Sequence, residues 1–226
     1  MSQKTPVYLE TGKKRTFAGA LDWPGWNRLG RTEEEAVQAL LDAAPRYART
    51  LAETGLDFTP PTSPEELIVV ERLEGTTTTD FGAPDAMPAA DRQPLDGDAV
   101  RRFETLLGAY WEALATAAQA ATGKELRKGP LGGGRDLDSI LEHVFSAEAA
   151  YLRRLGWKPD KVAGGSWREQ IEQLRQAEMA ALAAGTRGEL PERGPRGGKI
   201  WPPRYFVRRA GWHILDHAWE IEDRVL

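Results

Sequence analysis

LDSILEHVFSAEAAYLRRLG, residues 137–156, and RRAGWHILDHAWEIEDR, residues 208–224, decide how the second half of this chain folds. In the first segment Leu137, Ile140, Leu141, Val144, Tyr151 and Leu155 recur every three or four residues, the period of one face of an α-helix. Asp136 or Asp138 stands where an N-cap belongs, and Gly156 stands where a helix stops. The second segment carries His213 and His217. Four residues apart on a helix, they share one face, one above the other. His143, at the flank of the first segment's apolar stripe, is the third histidine, and the 226-residue chain has no other.

The same periodicity extends outward from these two segments. A helix is expected over 98–122, with Val100, Phe103, Leu107, Tyr110 and Leu114 inward. A second spans 136–155, a third runs from a Ser166 cap to near Gly185, and a fourth follows Pro202-Pro203 almost to Leu226. Four amphipathic helices of this length predict a four-helix bundle over 98–226. Upstream, residues 76–97 are rich in Thr, Pro, Asp and Gly and read as a linker. Residues 1–75 read as a small ββαβ domain. PVYLE (6–10) and RTFAGALD (15–22) are strands joined by a TGKK turn, and WPGW (23–26) is a second turn. Thr32 with Glu35 forms a capping box before a helix that puts Ala36, Leu40, Tyr47 and Leu51 near one stripe. Pro45 is expected to kink or split that helix. ELIVVERLEG, 66–75, is the clearest strand. The expected class is α+β.

Composition narrows the chemistry. The net charge is −4, so no global field favours nucleic acid or an acidic membrane. The chain contains no cysteine, which excludes disulfides, Cys-ligated zinc and a cysteine nucleophile. The N-terminus lacks the apolar core of a signal peptide and no apolar run reaches spanning length, so a cytoplasmic protein without membrane or nucleic-acid partners is expected. Eight tryptophans suit core filling, or the lining of a pocket.

An HxxxH pair on a helix can grip one metal ion, and His143 can supply a third ligand from a neighbouring helix. Neutral imidazole suits zinc, nickel or iron. Three ligands leave coordination positions open, as a catalytic metal requires. The plainer alternative is a set of surface or hydrogen-bonded core histidines. Glu220, three after His217, would orient an imidazole, ligate, act as a base, or simply pair with Arg224. Two basic glycine-rich loops precede the histidine helices, RKGPLGGGRD (127–136) and RGPRGGKIWPPRY (193–205). Arg127, Arg135, Arg196, Lys199 and Arg204 are the substrate-binding candidates there, for a carboxylate or phosphate, unless the loops are mere connectors.

The two histidine segments resemble the corresponding helices of the DinB/YfiT-like metalloenzymes, over roughly residues 98–226. That resemblance implies a His143–His213–His217 metal triad in a bundle of up-down-down-up order. It also implies chemistry of the kind found in bacillithiol S-transferases and mycothiol-dependent maleylpyruvate isomerases, in which a divalent metal activates a low-molecular-weight thiol. The stretch RTFAGALDWPGWNRLGRTEEEAVQALLDAA (15–44) is similar to the HicB-like fold, through Asp22-Trp23-Pro24-Gly25 and Gly30-Arg31-Thr32-Glu33-Glu34-Glu35-Ala36. This second resemblance covers about residues 6–75 and implies a binding or assembly module. The expected function is therefore a metal-dependent, thiol-using transferase or isomerase acting on a small molecule. Such bundles often dimerise, so a homodimer is one assembly the reading allows. The alternative is a non-catalytic partner-binding protein, for instance one that covers a small ribonuclease. Metal-assisted hydrolysis or oxygen chemistry at the same triad is a third course.

Overall fold

The structure, a computed structural model, describes residues 4–128, 134–158, 165–194 and 197–226. It is α+β, with one four-stranded sheet and six α-helices among the described residues. By internal contacts the chain divides into two compact units. One contains the chain up to Gln93 together with Val207–Trp212. The other contains Pro94–Phe206 and His213–Leu226.

In the first unit, β1 (Thr5–Thr11), β2 (Thr16–Ala20), β3 (Asn27–Gly30) and β4 (Leu67–Glu74) lie in the order β3-β2-β1-β4. β1 pairs antiparallel with β2 and parallel with β4. β2 is buried along its whole length, as an inner strand must be. The expected ββαβ pattern is corrected to βββαβ. β3, the tetrapeptide NRLG, has a single apolar residue and shows no alternation of its own. It is a strand because β2 pairs with it, Phe17 opposite Leu29.

The helix α1 (Glu33–Leu51) carries the crossover from β3 to β4. Thr32 caps it by accepting from the Glu35 N–H at 3.2 Å. Of the kink or split expected at Pro45, the split does not occur: the helix runs on through it. Pro45 removes one N–H donor, but Leu40, Leu41, Ala44, Tyr47 and Leu51 are all buried on either side of it. Burial of that size, roughly 1.5–3 kcal/mol for each large side chain, outweighs the roughly 3 kcal/mol that a proline costs inside a helix. Trp26, fully buried, donates its indole N–H to the Leu40 carbonyl at 3.0 Å and stacks on Tyr47. Gly30 allows the close approach of β3 to the start of α1: a Cβ there would lie 2.3 Å from the Ala36 backbone nitrogen.

Residues 76–93 are structured. Thr77–Phe81 forms the short helix α2. Thr79 donates to the buried Glu10 carboxylate, and the Asp85 N–H donates to the same group at 2.8 Å. Asp91 accepts two hydrogen bonds from Arg208 at 2.6 and 2.8 Å, a pair only 3% exposed on either side. Arg208 also donates to the carbonyls of Ala20 and Leu21. These contacts satisfy the buried guanidinium as burial demands.

The second unit contains α3 (Gly97–Ala121), α4 (Leu137–Arg154), α5 (Trp167–Thr186) and both ends of α6 (Pro203–Arg224). Each lies within a residue or two of its expected span. Asp96, Asp136 and Ser166 cap α3, α4 and α5. α5 packs against both α3 and α4. No helix among the described residues is long and apolar enough to cross a membrane.

Candidate metal centre

α4 and α6 run past one another in opposite directions, as their contacts show. His143 meets His217 (ring centroids 4.9 Å apart), Tyr151 meets His213 (5.5 Å), and the Arg154 carbonyl accepts from the Trp201 N–H at 2.8 Å. Rising residue numbers on α4 thus match falling ones towards and along α6. That arrangement brings the three imidazoles together. His143 and His213 are 5.2 Å apart by centroid, and His213 and His217 are 4.7 Å apart. One nitrogen from each ring can be chosen so that all lie within 4.8 Å of one another.

The second nitrogen of each helix-α6 histidine is spoken for. His213 Nδ1 lies 2.7 Å from Glu148 Oε1, and His217 Nδ1 lies 2.8 Å from Glu220 Oε2. A carboxylate accepts a proton and does not give one, so each Nδ1 carries hydrogen, and in the neutral ring each Nε2 keeps its lone pair. Those Nε2 atoms are the ones free to ligate. His213 Nε2 is 3.3 Å from His143 Nε2. Two nitrogens about 2.0–2.1 Å from one tetrahedral ion stand about 3.3 Å apart. Burial holds the His143 pKa below its ordinary value, with the charges of His217 and Arg135 acting in the same direction and Glu220 opposing. A neutral imidazole is the ligating form. The Glu220 carboxyl is held low, first by its bond from His217 and also by Arg224. The donor set, neutral nitrogens backed by two carboxylates, fits a borderline divalent ion such as zinc, nickel or iron.

Glu220 combines two of the roles considered for it, since one oxygen holds His217 and the other holds Arg224. Arg135 is exposed just before the Asp136 cap of α4, and its backbone carbonyl accepts from Arg224 Nη2 at 2.7 Å. The Arg127 guanidinium donates to the Asp223 carbonyl at 2.6 Å, at the end of α6. Arg204 is engaged elsewhere. Arg204 donates to the Pro94 carbonyl and covers the Phe103 ring, and it precedes His213 by nine residues, about 13 Å of helix. Lys199 pairs through its backbone with Arg193. Arg196 lies outside the described residues.

Two buried carboxylates of the second unit escaped the sequence reading. Glu148 is fully buried at a position of the α4 stripe flanked by Val144 and Leu152. Glu178 is fully buried on α5 between Leu174 and Leu182, and accepts from the Trp111 indole N–H at 2.8 Å. The available signal was a carboxylate on an apolar stripe, where a charge needs a partner. A separate cavity of about 580 Å³ lies in the sheet-containing unit, lined by Trp23, Asp57 and Pro60 among others. It contains no histidine. Comparison of the chain with protein-family models, curated proteins and solved structures found no match.

Proposed function

We propose that this chain is a metal-dependent enzyme whose ion is held by His143, His213 and His217. The observation that carries the reading is the pairing of two of those rings with buried or half-buried carboxylates through Nδ1, which leaves their Nε2 atoms to a shared ligand. A bound divalent ion supplies a Lewis acid that lowers the pKa of a coordinated thiol or water. The chain's own residues have distinct tasks in this scheme. Glu148 fixes the tautomer and rotation of His213, Glu220 does so for His217, and His143, half-buried, borders the open side. The bundle of the second unit is read as DinB/YfiT-like and the first unit as a HicB-like binding or assembly module. The reaction class is transfer or isomerisation of a small molecule with a low-molecular-weight thiol as cosubstrate.

A competing reading has its own observation. The 3.3 Å between His143 and His213 also suits a direct N–H···N hydrogen bond, which would make the three rings a structural cluster in a partner-binding protein. Metal analysis of protein purified without a histidine tag separates the two, with His217→Ala as the reference. About one equivalent of zinc, nickel or iron in the wild type, lost in the variant, supports the enzyme reading. Equal, near-zero metal in both removes it. A screen for thiol conjugation or thiol-dependent isomerisation then tests the reaction class.

A further inference from the structure

Arg224, in the last turn of α6, joins the histidine site to the two described ends of the 127–136 loop. Its guanidinium pairs with Glu220, donates from Nε to the Arg127 carbonyl at 3.0 Å, and donates from Nη2 to the Arg135 carbonyl at 2.7 Å. Its own carbonyl accepts from the Arg127 N–H at 2.7 Å. Gly134 makes room for this. It has φ +129°, and a Cβ there would lie 2.6 Å from Arg224 Nη2. A continuous line of contacts therefore runs from His217 through Glu220 and Arg224 to the backbone of Arg135.

That line fixes where the Arg135 side chain starts, and two of the other candidate cations are already engaged. Arg127 donates to Asp223, and Arg204 donates to Pro94. Arg135 is exposed and forms no ion pair among the described residues, and it stands just before Asp136, the N-cap of the helix that carries His143, with its backbone held by Arg224. The carboxylates that face the site are also occupied, Glu148 by His213 and Glu220 by His217 and Arg224. They balance charge behind the imidazoles.

We infer that Arg135 binds the oxyanion of a small ligand, a carboxylate or phosphate, whose other end meets the three histidines. The ligand's second contact rests on the metal-centre reading; the Arg135 contact does not. The planar guanidinium offers two parallel N–H donors to such a group. Arg224 is a positioning residue in this arrangement, because it touches the loop backbone and not the ligand.

The test uses the full chain loaded with cobalt(II) and titrated separately with acetate and with inorganic phosphate, followed by the visible absorption of the ion. The wild type is expected to respond to at least one anion, and the one that responds identifies the oxyanion. Arg135→Gln is expected to weaken that response about tenfold or more while cobalt affinity stays within about twofold. Arg204→Gln is expected to leave both unchanged. A second arm follows the His143 ring resonances of metal-free protein during the same anion titrations. Anion-dependent shifts in the wild type that disappear in Arg135→Gln support the assignment even if no cobalt binds, an outcome that removes only the metal reading. No anion response in the wild type in either arm, or an undiminished response in Arg135→Gln, overturns it.

Discussion

Glu148 shows how much one side chain can carry here. Leu141, Val144 and Leu152 make the α4 stripe apolar, and a charge placed among them is tolerated because His213 meets it at 2.7 Å. Replacing it with glutamine keeps the shape and an acceptor but removes the charge that makes the imidazole a stronger donor. Glu148→Gln is therefore expected to lower metal affinity about 10–100-fold in a competition titration, with the helical circular dichroism unchanged. Unaltered affinity would mean that Glu148 serves packing alone. Glu178 is a second case with a different readout. Burial pushes its carboxyl up to about 8 from an ordinary 4.5, against the stabilising bond from Trp111. Below pH 4.5 the group is protonated whether the chain is folded or not. Between 4.5 and 8 the unfolded chain releases the proton and the folded one keeps it, so stability falls as pH rises through that window. Glu178→Gln removes this slope. Relative to the wild type, the variant is expected to gain in denaturant midpoint between pH 5 and pH 8; parallel profiles would show that the carboxyl is already ionised in the folded protein.

Among the elements, α1 is the clearest contest between local preference and packing. Pro45 is exposed and lies in the helix interior, where proline is disfavoured by about 3 kcal/mol. The helix continues because its buried face covers the sheet on both sides of the proline. Pro45→Ala restores an N–H that can reach the Leu41 carbonyl, and is expected to stabilise the protein by about 1–3 kcal/mol. For a chain of this size that is roughly 2–4 °C in Tm for each kcal/mol, read by differential scanning calorimetry. A lower Tm would mean that the local helix has adapted to the proline ring. The short strand β3 makes the opposite point. NRLG lacks any periodic signal, and its strand geometry comes from hydrogen bonds to β2 that no local pattern can announce. The long helices α3 to α6 were legible because each repeats its apolar positions over four or more turns and carries a cap or a proline at its start.

For the molecule as a whole, a ligand that binds the folded state alone stabilises it by mass action. Metal at a hundred times its dissociation constant contributes about 2.7 kcal/mol. A chelator is therefore expected to lower the Tm of wild-type protein by several degrees, and to leave His217→Ala unmoved. A wild type indifferent to both zinc and chelator would favour the structural cluster of histidines. Local pattern was enough for the α+β class, for the long helices and for the choice of His143, His213 and His217 as a set, because periodicity, capping residues and a scarce residue type are properties of the chain near each position. The carboxylate of Glu148 behind His213, the strand β3, the buried Arg208–Asp91 pair and the bond from Arg204 to Pro94 were not legible in that way. Each depends on groups far apart in sequence meeting in space, Glu148 with His213 across 65 residues and Asp91 with Arg208 across 117. Hydrogen bonds and charges act over a few ångströms, so which of them form is settled when the helices and strands pack.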